Sequence, residues 1–148
     1  MDLPNHTEVF DMGFREKIGK FIHTKDGEIQ RAYQVYDRAS DLLGARDRNP
    51  QFDRTQELEE AVKEAEKLAL ELLESYEGVK NWPGIFREMH MNLVRLWLRT
   101  GRTEEALKEC DKVAKYNPMD AEELREAVQE AMSGKKFEAE QLDEVGIA

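Results

Sequence analysis

The sequence predicts an all-α protein, and three observations carry that prediction. Glu, Lys, Ala, Leu and Arg, the good helix formers, dominate nearly every long stretch. Apolar residues recur at intervals of three and four, and no run alternates with period two. Val and Ile are sparse, so no sheet is expected. About seven helices, paired as antiparallel hairpins in a short stack, account for the 148 residues. That length supports one domain with a sizeable core and not two independent ones.

The elements follow in order. Within residues 1–25, Val9, Phe10, Phe14, Ile18, Phe21 and Ile22 fall largely at helical spacing, and "TKDG" then breaks the pattern. A second helix is expected from Gly27 to Leu43, with Ile29, Ala32, Tyr33, Tyr36, Ala39 and Leu43 on one face. Gly44 suits the left-handed position after its end. A polar connection, "ARDRNPQF", leads to a third helix, for which Asp53 is the expected N-cap and Gln56 completes a capping box. Its core stripe runs from Leu58 through Ala61, Ala65, Leu68 and Leu72 to Tyr76. These two helices make a long, atypical hairpin over residues 26–82.

Pro83 suits the first turn of the fourth helix, where a missing N–H costs nothing. Ile85, Phe86, Met89, Leu93, Leu96 and Trp97 form one stripe, and Met91, Val94 and Leu98 a second, so this helix is expected to meet neighbours on two sides. Gly101 ends it. The fifth helix takes Thr103 as its expected cap and turns Ala106, Leu107, Cys110, Val113 and Ala114 inward, and Pro118 stops it. A sixth helix is expected over Asp120–Met132, and a short seventh over Phe137–Glu144.

Composition narrows the kind of work the chain can do. The net charge of −10 argues against nucleic-acid binding, which needs cations to neutralise phosphates. From Thr103 onward there are 13 acids against 6 bases, whereas Phe14–Lys25 carries four bases against one acid. The single cysteine, Cys110, permits no intramolecular disulfide and no CxxC metal motif. The first residues lack the basic flank and apolar run of a signal peptide, and no stretch reaches the ~18–20 apolar residues of a membrane span. A cytoplasmic protein with no membrane contact is the expectation.

Motifs for chemistry are missing. His6, His23 and His90 lie far apart and fit no metal-ligand spacing, so neither a metal nor another cofactor is expected. Cys110 and His90 both fall on core-facing positions of adjacent helices, but nothing supplies an orienting group or an oxyanion hole. Cys110 reads as a small core residue. The pairs Glu104–Lys108 and Asp111–Lys115 are solvated i,i+4 pairs, and "SGKK" at 133–136 is read as a turn rather than a phosphate loop. No catalytic residue is assigned, and an enzyme is not expected.

A repeat is legible instead. "EEALKECDKV" from Glu104 matches "EEAVKEAEKL" from Glu59, with Ala106 aligned on Ala61 45 residues earlier. Residues 83–120 go further. Leu93, Trp97, Gly101, Ala106 and Pro118 fall at the intervals of a helix–turn–helix unit, with His90, Val94 and Cys110 at three further positions. This stretch resembles the tetratricopeptide repeat (TPR), with Leu93, Ala106 and Pro118 matching its pattern. It departs where His90 stands for tryptophan, Val94 for a small residue, Trp97 for tyrosine and Cys110 for an aromatic. Residues 121–148 resemble a second, shortened unit, with Leu124, Ala127, Val128 and Ala131 in first-helix places and Phe137 and Ala139 beginning a partner. Close resemblance covers about a third of the chain.

The resemblance implies a short superhelix of stacked hairpins and a protein-interaction module: an adaptor, a chaperone-like protein or an assembly factor. In that family the first helix of each unit lines a concave groove. By position, the residues implied to face a partner are Met91, Asn92, Arg95, Leu98, Arg99, Arg125 and Gln129. Arg95, Arg99 and Arg125 would make a cationic strip on an acidic protein, fit for an acidic peptide or a chain terminus. The alternative is that these arginines neutralise neighbouring glutamates. The basic N-terminal segment either caps the stack or docks on a partner or membrane surface. Self-association into a homodimer is the alternative within binding, and an enzyme with a cryptic helical-bundle site the alternative outside it.

Overall fold

The computed structural model describes the backbone of residues 25–145 and the side chains of residues 26–134. Five helices make up this region: α1 (Lys25–Arg48), α2 (Thr55–Tyr76), α3 (Pro83–Arg99), α4 (Thr103–Ala114) and α5 (Pro118–Val145). No strand occurs among the described residues. The all-α expectation is met, but the count of about seven helices is not. The helix expected before Lys25 lies outside the described residues. The expected sixth and seventh helices are one, because α5 runs unbroken through "SGKK". Gly134 alone does not end a helix: a glycine inside one costs only about 1 kcal/mol relative to alanine. No abbreviated partner helix therefore begins at Phe137.

α1 is also longer than its expected Gly27–Leu43 span. Asp26 and Glu28 in its first turn and Arg46 and Arg48 in its last oppose the ends of the helix dipole. Gly44 is an ordinary helical residue, and the amide of Asn49 still bonds the Ala45 carbonyl at 3.1 Å. Pro50 stops the helix, since the residue before proline disfavours helical geometry. The Asn49 side chain then accepts from the amide of Gln51 at 2.9 Å, which makes the turn toward α2.

The capping box expected at Asp53 and Gln56 is not formed. α2 begins after Arg54, and no side chain caps it. What fixes α2 is its buried stripe of Leu58, Ala61, Ala65, Ala69, Leu72 and Leu73. The exposed Arg54–Glu57 pair at 2.6 Å adds little.

The turn between α3 and α4 accounts for the glycine in "RTGRT". Gly101 adopts φ 84°, the left-handed region that favours glycine. The Arg102 amide reaches back to the Trp97 carbonyl at 2.8 Å and the Gly101 amide to Leu98 at 3.4 Å, a Schellman ending. Thr103 is the first helical residue and not the cap; the N-cap is Arg102, without a side-chain bond. Arg102 instead reaches Glu66 of α2 at 2.9 Å and lies 5.1 Å over the Trp97 ring, tying the turn to the preceding helix. Replacing Gly101 by Ala is expected to lower stability by about 1 kcal/mol or more, because Ala is strained at positive φ. Gly78→Ala, which meets open space, is the neutral comparison in urea unfolding.

Pro118 does not stop α4, contrary to the expectation. α4 has already ended at Ala114, and Pro118 is the first residue of α5. Asn117 caps α5, its side-chain oxygen accepting the amides of Met119 and Asp120 at 3.0 and 3.1 Å. In α5 it is Ala121 and Val128 that are fully buried, with Leu124 and Met132 packed beside them, while Ala127 is exposed.

Each helix packs on the next, and α3 additionally touches α1 and α5. α2 and α4 do not adjoin, so among the described residues the odd-numbered helices line one side of the stack. The core forms two adjoining clusters. One joins α1 and α2 through Val35, Ala39, Leu43, Leu58, Ala61 and Ala65, and reaches α3 at Leu96. The other joins α3, α4 and α5 through Leu93, Val94, Trp97, Ala106, Cys110, Val113 and Val128, and includes Ala69, Leu72 and Leu73 of α2. The aligned sites Ala61 and Ala106 are both buried, at 4% and 0% exposure, one in each of the two clusters. Val94 fits fully buried opposite α4 despite its bulk.

Candidate functional site

The residues that the sequence singled out lie on α3 and α5, two of the three helices that with α1 line one face of the stack. On α3, Met91 and Asn92 are buried, while Arg95, Leu98 and Arg99 are half-buried. On α5, Arg125 is half-buried and Gln129 exposed.

The three arginines differ in what holds them. Arg99 bonds Ser40 and Asp47 of α1, both at 3.3 Å. Arg125 turns toward α4 and pairs with Asp111 at 2.7 Å. Both therefore neutralise neighbouring acids, although those acids are aspartates. Arg95 is different. It donates to the Asn92 side-chain oxygen at 3.2 Å and lies beside the Tyr36 phenol, with no carboxylate partner among the described residues. Asn92 thus steadies Arg95 rather than facing outward.

α1 contributes what the sequence reading left out. Tyr33 and Tyr36, assigned there to a core stripe, are only partly buried and border this face. Burial raises the titration point of the Tyr36 phenol, and the adjacent Arg95 opposes that rise. Burial likewise raises Tyr33, with the Glu88 carboxylate adding to it. One turn further toward the N-terminus of α1, an open depression of about 410 Å³ is lined by Asp26, Ile29, Tyr33, Asp37 and, from α3, Ile85. The face is thus acidic and apolar at one end and cationic at the other.

A second polar group lies in the core, and no sequence motif marked it. His90 of α3, 2% exposed, meets Glu109 of α4 through Nδ1 at 2.5 Å and Glu77 through Nε2 at 2.7 Å. Glu77 is the residue that ends α2. The Tyr116 hydroxyl donates to the same Glu77 oxygen at 2.5 Å, and its ring stacks on the imidazole. Desolvation alone would raise the Glu77 carboxyl; the bonds from Tyr116 and His90 outweigh it and hold the group below the ordinary glutamate range. Burial, reinforced by Glu77, pushes the Tyr116 phenol up to about 12. The two ring nitrogens point to opposite sides, so the carboxylates do not converge on a common point, and no metal-binding group of His, Cys, Asp and Glu occurs among the described residues.

Cys110 is fully buried, donates to the Ala106 carbonyl at 3.3 Å, and is pushed up by desolvation. The thiol is bonded to that carbonyl and not to His90, whose nitrogens both meet carboxylates. No described helix is long and apolar enough to cross a membrane. No protein-family model matches the chain, and neither a curated protein nor a solved structure matches it.

Proposed function

We propose that this chain is a TPR-like protein-interaction module that takes an acidic partner segment on its α1–α3–α5 face. It acts as an adaptor, chaperone-like or assembly factor in the cytoplasm. The observation that carries the reading is Arg95: a half-buried guanidinium bonded to the Asn92 amide beside the Tyr36 phenol, with its charge unmatched by a carboxylate among the described residues. A fixed guanidinium fork meets a carboxylate with little further loss of side-chain freedom. Two further facts support it. The odd-numbered helices adjoin while α2 and α4 do not, the arrangement that stacked two-helix repeats produce. The small residues Ala61 and Ala106, aligned in the sequence, are both buried.

The test is capture of binding proteins from native extract, followed by affinity measurement on the partner recovered. Arg95→Ala is expected to weaken binding about tenfold or more, the loss of one charge-assisted bond of ~1.5–3 kcal/mol. Far-ultraviolet circular dichroism should be unchanged. Arg125→Ala, which releases an arginine already paired with Asp111, should have a smaller effect. Equal binding by the wild type and Arg95→Ala rejects the assignment of this face.

A further inference from the structure

We propose that Glu77, His90 and Glu109 form a proton-dependent clasp, closed when the His90 ring carries both protons and opened at the Glu77 end when it loses one. An ionised carboxylate only accepts, and a neutral imidazole has a single N–H to give. Yet both ring nitrogens lie within 2.7 Å of a carboxylate oxygen, Nδ1 against Glu109 and Nε2 against Glu77. With both protons in place the ring donates twice, and the three groups together carry one negative charge. Without one of them, a nitrogen lone pair faces a carboxylate oxygen inside the core, and a bond becomes a repulsion.

The surroundings decide which end gives way. Glu109 has a side chain only 6% exposed, and Lys112, one turn along α4, lies 3.5 Å from its other oxygen. Burial and that second contact hold it in place. Glu77 is 27% exposed, sits where α2 passes into the loop before Pro83, and keeps the Tyr116 hydroxyl as a partner. Lys115 also contributes its charge there. From α5, Asp120 is engaged with Arg87, one turn before His90 on α3, at 3.9 Å. On α1, the nearby Glu28 accepts the Tyr76 hydroxyl at 2.6 Å. Neither is bonded to the ring. Deprotonation therefore releases Glu77, and with it the join between the end of α2 and α3, while Nδ1–H stays on Glu109.

The test is nuclear magnetic resonance of the full chain with ¹⁵N-labelled histidine, followed from about pH 6 to about pH 9. Near neutral pH both His90 nitrogens should show protonated, imidazolium-type shifts. As pH rises, Nε2 should lose its proton first, and hydrogen exchange at amides 78–82, corrected for the intrinsic rate, should quicken over the same range. Glu77→Gln keeps the fold and supplies an amide that can accept from N–H or donate to the bare nitrogen, so its exchange should lose that pH dependence. A ring carrying a single proton at neutral pH overturns the proposal. So does exchange at 78–82 that follows the same pH course in wild type and Glu77→Gln.

Discussion

Leu93→Ala is expected to lower the stability of the chain by about 2–5 kcal/mol, measured as the change in urea unfolding free energy. Leu93 sits in the middle of α3 with no exposed surface, in the cluster that joins α3 to α4 and α5 and includes residues of α2. Shortening it removes apolar contact and leaves a cavity whose lining belongs to several helices, so the surroundings collapse only partly. The comparison is Leu70→Ala on α2. That side chain is 42% exposed, and its loss should change stability by no more than about 0.5 kcal/mol. A similar cost at both positions would mean that α3 is not the central element.

His90→Ala is the second large effect, expected to cost about 3–5 kcal/mol because it leaves the buried Glu109 carboxylate without its nearest partner. Lys112 stands 3.5 Å from the other oxygen and recovers only part of that. The direction of rescue distinguishes charge from packing. Replacing both partners, as His90→Leu with Glu109→Leu, removes the unpaired charge as well as the ring and should restore much of the lost stability. If the double substitution is as unstable as His90→Ala, the loss comes from shape and the ionic contact contributes little.

How far the sequence could be read depended on where its signals were local. The stripes of α2, α3 and α4 were legible because burial repeats every three or four residues, and Ala106, Cys110 and Val113 are fully buried where that spacing places them. Gly101 was legible because a left-handed turn needs glycine. Gly44 misled for the same reason: glycine permits a helix end without compelling one, and Pro50 set the boundary instead. "SGKK" failed as a break because no proline enforces it.

The site was less legible, since its contacts, the Arg95–Asn92 bond apart, span 13 to 59 residues. Arg95 was found by analogy, but its phenol partner Tyr36 comes from α1 and looked like core. The pairing of Arg99 with Asp47 depends on how α1 lies against α3, which no local pattern states. The buried Glu109 left one trace: an acid three residues after Ala106 and beside Cys110, both of which face inward. His90 supplied the other half, standing where the repeat resembled here has tryptophan. A charged core position opposite a substituted one is a signal that periodicity alone does not weigh.

In the proposed function, the side lined by the odd-numbered helices meets the partner and the outer side of α2 does not. The most direct measurement places a photoreactive residue at Gln34, exposed at the rim of the α1 depression, or at Lys67, 71% exposed on α2, and identifies cross-linked partner. Cross-linking from Gln34 with none from Lys67 is the predicted result. Cross-linking from Lys67 with none from Gln34 would contradict it.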